Sequence, residues 1–231
     1  MGFFTYDVNR YTPKQMVVIP AIILMVALAL LTYNIATIGL PVEPGLDFAG
    51  GTAVTLHTTD TEETLISTFA AYPLITPLQG GQSTGYYLKF EPMSDADLQS
   101  LIAFVNERYP DAKIDQIGET FGKTLQQQAL LAMAFSFIGM SVVIFIAFRA
   151  VIPSFAVVLS AFADIAVTAA VMDLVGIPLS LGTTAALLML IGYSVDSDIL
   201  LTNRVLTRKG KLEERLAGAY RTGIIMTTTT L

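Results

Sequence analysis

Residues 191–204 read Ile-Gly-Tyr-Ser-Val-Asp-Ser-Asp-Ile-Leu-Leu-Thr-Asn-Arg and close an apolar run that begins near Leu179. A helix needs about 20 apolar residues to cross the hydrocarbon core of a bilayer, and this run has that length. Asp196 and Asp198 therefore stand inside what otherwise reads as a membrane-spanning helix. A charge near the middle of a bilayer costs at least about 2.5–3.5 kcal/mol, so a chain that keeps two there is expected to use them. At positions i and i+2 of a helix they point about 200° apart and cannot face the same partner. Ser194, Asp198 and Thr202 make one polar stripe, and Gly192, Asp196 and Asn203 another.

The rest of the chain agrees with a membrane protein. Of its 231 residues 53% are apolar, too many for an ordinary soluble domain, and they are clumped into long runs. The first run, Met16 to about Ile38, exceeds the ~7–15 residues of a signal-peptide core and reads as a retained span. The second is Leu125 to Phe148, entered through Gln126, Gln127 and Gln128. Arg149 marks a short turn, the third span is Val151 to about Leu174, and Gly176-Ile177-Pro178 turns into the fourth, Leu179 to about Thr202. A fifth apolar run starts near Gly223 and is open at Leu231.

Residues 41–123 are different: acidic, with Lys89, Arg108, Lys113 and Lys123 as the only cations, and patterned for a water-facing domain. Gly51 to Thr58 alternates as a strand. Asp60 to Tyr72 starts as a helix with acidic residues in its first turn. Gly80 to Gly85 is a loop before a strand from Tyr86 to Glu91. Ser94 with Asp97 caps a helix ending near Tyr109, and Ala112 to Glu119 is a third strand. This β-α-β-α-β order, with room for a further strand, suggests a ferredoxin-like α+β domain.

The chain thus divides into an N-terminus with span 1 (1–40), the α+β domain (41–123), spans 2 to 4 (124–203), a basic linker (204–221) and the start of a fifth span (222–231). Arg10 and Lys14 precede span 1, Arg149 lies between spans 2 and 3, and Arg204, Arg208, Lys209, Lys211 and Arg215 follow span 4. These lie on one side if the N-terminus is cytoplasmic, which puts domain 41–123 outside a cell membrane crossed several times.

Asp164 falls about 20 Å along span 3, within the hydrocarbon. Arg221 stands at the entrance to the fifth run, where it can reach back as a counter-ion. Intramembrane carboxylates of this kind mark proton paths in pumps and transporters, which makes Asp196, Asp198, Arg221 and Asp164 proton-relay candidates. The plainer readings are snorkelling to the cytoplasmic face for Asp198 and Arg221, and for Asp164 a hydrogen bond to a serine or threonine of another helix. The chain has no cysteine, hence neither disulfides nor thiol chemistry. The single histidine, His57, reads as a surface residue, and no metal-ligand cluster, phosphate loop, cofactor motif or basic nucleic-acid patch is present.

Three stretches carry a family resemblance. Gly45-Leu46-Asp47-Phe48-Ala49-Gly50-Gly51, just after span 1, resembles the G-(I/L)-D-F-x-G-G signature of the SecF family of protein-export membrane proteins. The related SecD proteins have leucine where Phe48 stands. Ile191-Gly192-Tyr193-Ser194-Val195-Asp196-Ser197-Asp198, with Asn203-Arg204, resembles that family's I-G-Y-S-x-N-D-T…D-R motif. Arg221-Thr222 with Thr227 to Thr230 resembles its R-T…T-(S/T)-x-T-T motif. The resemblance implies a six-span helical bundle, so this chain is expected to be truncated in its fifth. It also implies a SecD-like partner and a role beside the Sec translocon channel in moving unfolded preproteins outward on the proton gradient, with no cofactor. The family's Asn-Asp-Thr reads Asp196-Ser197-Asp198 here, so its aspartate falls on Ser197, and either neighbour is a candidate for the role. The Asp-Ser-Asp form and the acidic outer domain look archaeal. In Gly50 and Gly51 the first expectation is a tight turn into the strand rather than chemistry.

Other classes fit less well. A transporter of lipid or small molecules would carry two large outer domains. An intramembrane aspartyl protease built on Asp164 and Asp196 would need a Gly-x-Gly-Asp motif, which the chain lacks. A passive translocon scaffold with purely structural aspartates differs from a proton-coupled subunit only in how it answers to substitution.

Overall fold

The computed structural model describes residues 12–79, 85–207 and 209–230. Arg10, the loop residues 80–84, Arg208 and Leu231 lie outside the described residues. The chain forms two compact units. One holds residues 44–130 and 179–181, and the other the remaining residues.

The first unit carries a single helical turn α2 (Leu46–Ala49), following α1 (Pro13–Ile38), and then β1 (Gly51–His57), α3 (Glu62–Thr68), β2 (Leu74–Gln79), β3 (Gly85–Phe90), α4 (Asp95–Arg108) and β4 (Lys113–Ile117). The strands form one sheet in the order β2-β3-β1-β4, antiparallel throughout. Val54 of β1 sits opposite Leu88 on one side and Ile114 on the other. Alternation along β1 sends Val54 and Leu56 inward, and the i, i+4 pairs Leu65–Phe69 (beginning in α3) and Leu101–Val105 (in α4) close over them with Leu88 and Phe90. Phe69 stands edge-on to Phe90 and to Phe104, each at 5.6 Å between centroids. Ser94 caps α4 by accepting from the Asp97 amide at 3.3 Å.

The strands and helices expected over 51–58, 60–72, 86–91, 94–109 and 112–119 are present, trimmed at their ends. The added strand is β2. Its Pro77 argues against a central strand, but β2 lies at the sheet edge, where a missing amide donor is tolerated. Gly50 and Gly51 serve the tight turn expected of them: φ is +75° and +115°, and a Cβ would lie 2.7 Å from Glu119 Cα and 2.3 Å from the Phe90 carbonyl oxygen respectively.

The second unit is helical. Four helices are long and apolar enough to cross a membrane: Gln15–Ile38 of α1, α5 (Glu119–Phe148), α6 (Val151–Val175) and α7 (Leu181–Thr207). Large apolar side chains such as Ile19, Phe135, Ile152 and Met189 face outward, as lipid-facing helices require. Alpha-helix α1 packs on α6. Ile144 of α5, Val157 and Ala161 of α6, and Val195 of α7 form the buried cluster that holds the remaining helices together. The last helix, α8 (Leu212–Thr230), begins well before the apolar run at Gly223, within residues that read as linker. It is not among the four, because Glu213, Glu214, Arg215 and Arg221 dilute its apolar content.

Two substitutions test this account. Gly51→Ala forces a left-handed conformation and a clash, and is expected to cost at least about 1–2 kcal/mol from the conformation alone. Hydrogen exchange at the β1 and β3 amides of the full chain measures it. The Tyr109 hydroxyl donates to Asp60 Oδ2 at 2.8 Å, so Tyr109→Phe is expected to cost about 0.5–1.5 kcal/mol near neutral pH. Burial, then the bond to Asp60, raises the Tyr109 pKa. A raised value stabilises the fold below the ordinary tyrosine pKa and loses that contribution as pH climbs through the raised one. Tyr109→Phe should therefore flatten the alkaline loss of protection in the same exchange experiment.

Candidate functional site

Ser160 and Asp164 lie one turn apart on α6, and Ser194 and Asp198 one turn apart on α7, so each pair shares a helix face. The helices are consecutive and joined by a short turn, and they bring the two faces together. Ser194 Oγ donates to Asp164 Oδ2. Ser160 and Asp164 of α6 both lie close enough to Asp198 to act on its carboxylate. The register is antiparallel: one turn down α7 meets one turn up α6. Each aspartate thereby faces a serine of the other helix. Asp198 Oδ2 remains buried with no hydrogen-bond partner among the described residues.

Apolar packing surrounds this crossed quartet. Val157 and Ala161 flank Ser160, and Val195 and Ile199 flank Asp198, within the cluster that also holds Ile144. Ala161 is fully buried, and a side chain that small lets two spanning helices approach closely enough for serine and aspartate to touch. A carboxylate oxygen left unpaired in such surroundings loses water without replacement, a cost of about 1–3 kcal/mol or more. The arrangement sets two carboxyl groups and two hydroxyls in one apolar seam.

Asp196 goes elsewhere, as its spacing from Asp198 requires. It is exposed and lines an open groove of about 800 Å³. Tyr193, Asn203 and Arg204 of α7 and Thr222 and Met226 of α8 line the same groove. The two polar stripes of the sequence are thus separate: Ser194 and Asp198 in the seam, Asp196 and Asn203 in the groove. Gly192 is exposed, with nothing within 4 Å of where a Cβ would stand. Arg221 is exposed on α8 and forms no ion pair with these aspartates among the described residues. The cation that shares the groove with Asp196 is Arg204, whose Nε is buried without a hydrogen-bond partner.

The Gly45–Gly51 motif lies in the sheet-bearing unit. Phe48 is buried there, the Gly45 amide donates to the Leu179 carbonyl at 2.8 Å, and Asp47 Oδ2 accepts from the Leu181 amide at 2.9 Å. Sequence reasoning missed Ser160, Arg204 and the bond to Leu181. Ser160 carried a signal, since Ser-x-x-x-Asp occurs on α6 with the spacing it has on α7.

The model of a family described as "Protein export membrane protein SecD/SecF, C-terminal" matches residues 98–231. A protein-export membrane protein SecF of Methanolacinia petrolearia is 57% identical over 231 residues, covering 100% of this chain and 81% of that one. SecF proteins of Haloferax volcanii and Pyrococcus furiosus are 42% and 36% identical, with 97% and 95% of this chain and 78% and 76% of theirs covered. Among solved structures, SecDF of Thermus thermophilus, described as a translocon-associated membrane protein, superposes with a TM-score of 0.71 at 21% identity, which speaks to the fold. That alignment covers 98% of this chain and 33% of the SecDF chain, so the chain spans about a third of the longer protein.

The seam predicts a coupling between Asp164 and Ser194. In a double-mutant cycle with Asp164→Ala and Ser194→Ala, unfolding in mixed micelles should give an interaction energy of about 0.6–1.7 kcal/mol, the range found for hydrogen bonds between spanning helices. The same cycle on Asp196 and Ser194 should give none.

Proposed function

The chain belongs to the SecD/SecF family of protein-export membrane proteins, and from that premise we propose that it is a SecF-like subunit whose export work is coupled to the proton gradient. It pairs with a SecD-like subunit and assists the Sec translocon channel in moving unfolded preproteins out across the cell membrane. It is an accessory subunit rather than an enzyme.

The observation that carries the coupling is the crossed seam of Ser160, Asp164, Ser194 and Asp198, two carboxylates facing two hydroxyls between two membrane-spanning helices. Protons enter and leave through the groove at Asp196, where Arg204 supplies the positive charge, and Arg221 stands exposed on α8. The hydroxyls orient each carboxylate, and the packing around Ala161 and Val195 excludes competing water. Domain 41–123 lies outside, following the basic residues at the span ends. Its β-α-β-β-α-β order, with two helices returning over one antiparallel sheet, supports a ferredoxin-like assignment. Alpha-helix α8 adds a fifth membrane segment to the four long apolar helices, and lipid covers the outward apolar faces.

The hydrogen bond between Ser194 and Asp164 also fits a passive scaffold, in which the aspartates only hold helices together. Export driven by an imposed proton gradient, measured with the partner present, separates the two. Under the proton-coupled reading Asp198→Asn and Asp164→Asn keep hydrogen bonding but lose proton exchange, and export should fall about tenfold or more, the equivalent of about 1.4 kcal/mol in a rate-limiting barrier. Asp196→Asn should have a smaller effect. If none of the three changes gradient-driven export, the scaffold reading stands.

A further inference from the structure

We infer that Asp47 is a positioning residue that ties the first turn of α7, the helix carrying Asp196 and Asp198, to the sheet-bearing unit. The inference rests on the proton-coupled reading of those aspartates. Leu179–Leu181 group with the sheet-bearing unit, although the rest of α7 does not. Pro44 and Leu179 form an isolated parallel β-bridge, which includes the bond from the Gly45 amide to the Leu179 carbonyl. Asp47 Oδ2 then accepts from the Leu181 amide at 2.9 Å. Behind these, Lys89 of the inner strand β3 donates from Nζ to the Pro44 carbonyl at 3.1 Å. Hydrogen bonds therefore hold the segment from Pro44 to Asp47 to the sheet at one end and to Leu179 and Leu181 at the start of α7.

The first amides of a helix have no partner within it, and a carboxylate placed there satisfies a donor and complements the positive end of the helix dipole. Such an acceptor normally comes from the residue just before the helix, which here is Ser180. For the Leu181 amide the acceptor is Asp47, 134 residues away in the chain. Its position is not free to adjust, because it lies in the one-turn helix α2 between buried Leu46 and buried Phe48. Alpha-helix α7 is unbroken from Leu181 to Thr207, so a shift of its first turn is carried along the helix to Asp196 and Asp198. The role needs an acceptor oxygen and not a charge.

The test uses the full chain with its SecD-like partner in proton-tight vesicles, comparing Asp47→Ala, Asp47→Asn and Lys89→Met. Hydrogen exchange at residues 181–184 reads the tie directly, and gradient-driven export reads its consequence. Asp47→Ala should speed exchange there roughly fivefold, the usual effect of losing a helix cap, and should lower export. Asp47→Asn keeps the oxygen and should rescue both. Lys89→Met loosens Pro44 and should move both in the direction of Asp47→Ala, so the idea is testable even if Asp47→Ala fails to assemble. Unchanged exchange in Asp47→Ala and Lys89→Met overturns the tie. Faster exchange with unchanged export overturns the positioning role, as does an Asp47→Asn variant with protected amides that exports no better than Asp47→Ala. Absence of any gradient-driven export by the unaltered complex sinks the proton-coupled reading instead, while the exchange data still judge the tie.

Discussion

A carboxylate between membrane helices must find a partner there, because no bulk water supplies one. Two helices that each carry an aspartate could meet this need by pairing each acid with a base, or by burying one proton between the two acids. Among the described residues neither aspartate has an ion-pair partner. Serines set one turn from each aspartate and an antiparallel register place a serine of the other helix beside each acid, and Ser194 bonds Asp164. The register brings Val157, Ala161 and Val195 together in the same seam, so the polar contacts and the apolar packing of the helices depend on one another.

The sheet-bearing unit obeys a different constraint, close backbone approach. Gly50 and Gly51 let the chain turn from α2 into β1 against Glu119 and Phe90, and any side chain there would collide with backbone atoms. The same turn fixes Asp47 within reach of the Leu181 amide. A motif that looks like a sequence signature is thus explained atom by atom: the glycines make room, Phe48 anchors, and the aspartate caps a distant helix. One short string thus performs three separate physical jobs.

Much of this was legible in the residues themselves. Hydropathy marked the four long apolar helices because apolar runs of sufficient length have few other uses, and alternation with capping signals located three strands and two helices of the sheet-bearing unit. Strand β2 was harder, since Pro77 weakens the pattern and only an edge position makes it acceptable. Alpha-helix α8 was also obscured: its first turns are charged, so composition resembles a linker while the backbone is helical from Leu212. Arg221 reads as a counter-ion by its place in the chain, yet it lies exposed, and Arg204 shares the groove with Asp196.

The sequence by itself determined that Asp196 and Asp198 diverge, because the angular step of a helix is a local property that no neighbour can change. It determined equally that Asp164 sits within a long apolar helix and that strands and helices alternate between the first and second such helices. Only the tertiary structure decided that Asp198 and not Asp196 meets α6, that Ser160 completes the seam, and that Asp47 reaches Leu181. Those choices depend on how each helix is rotated about its axis and slid along its neighbour. Packing of small against large side chains sets that rotation and slide across contacts far apart in the chain, and periodicity within one helix holds no information about them.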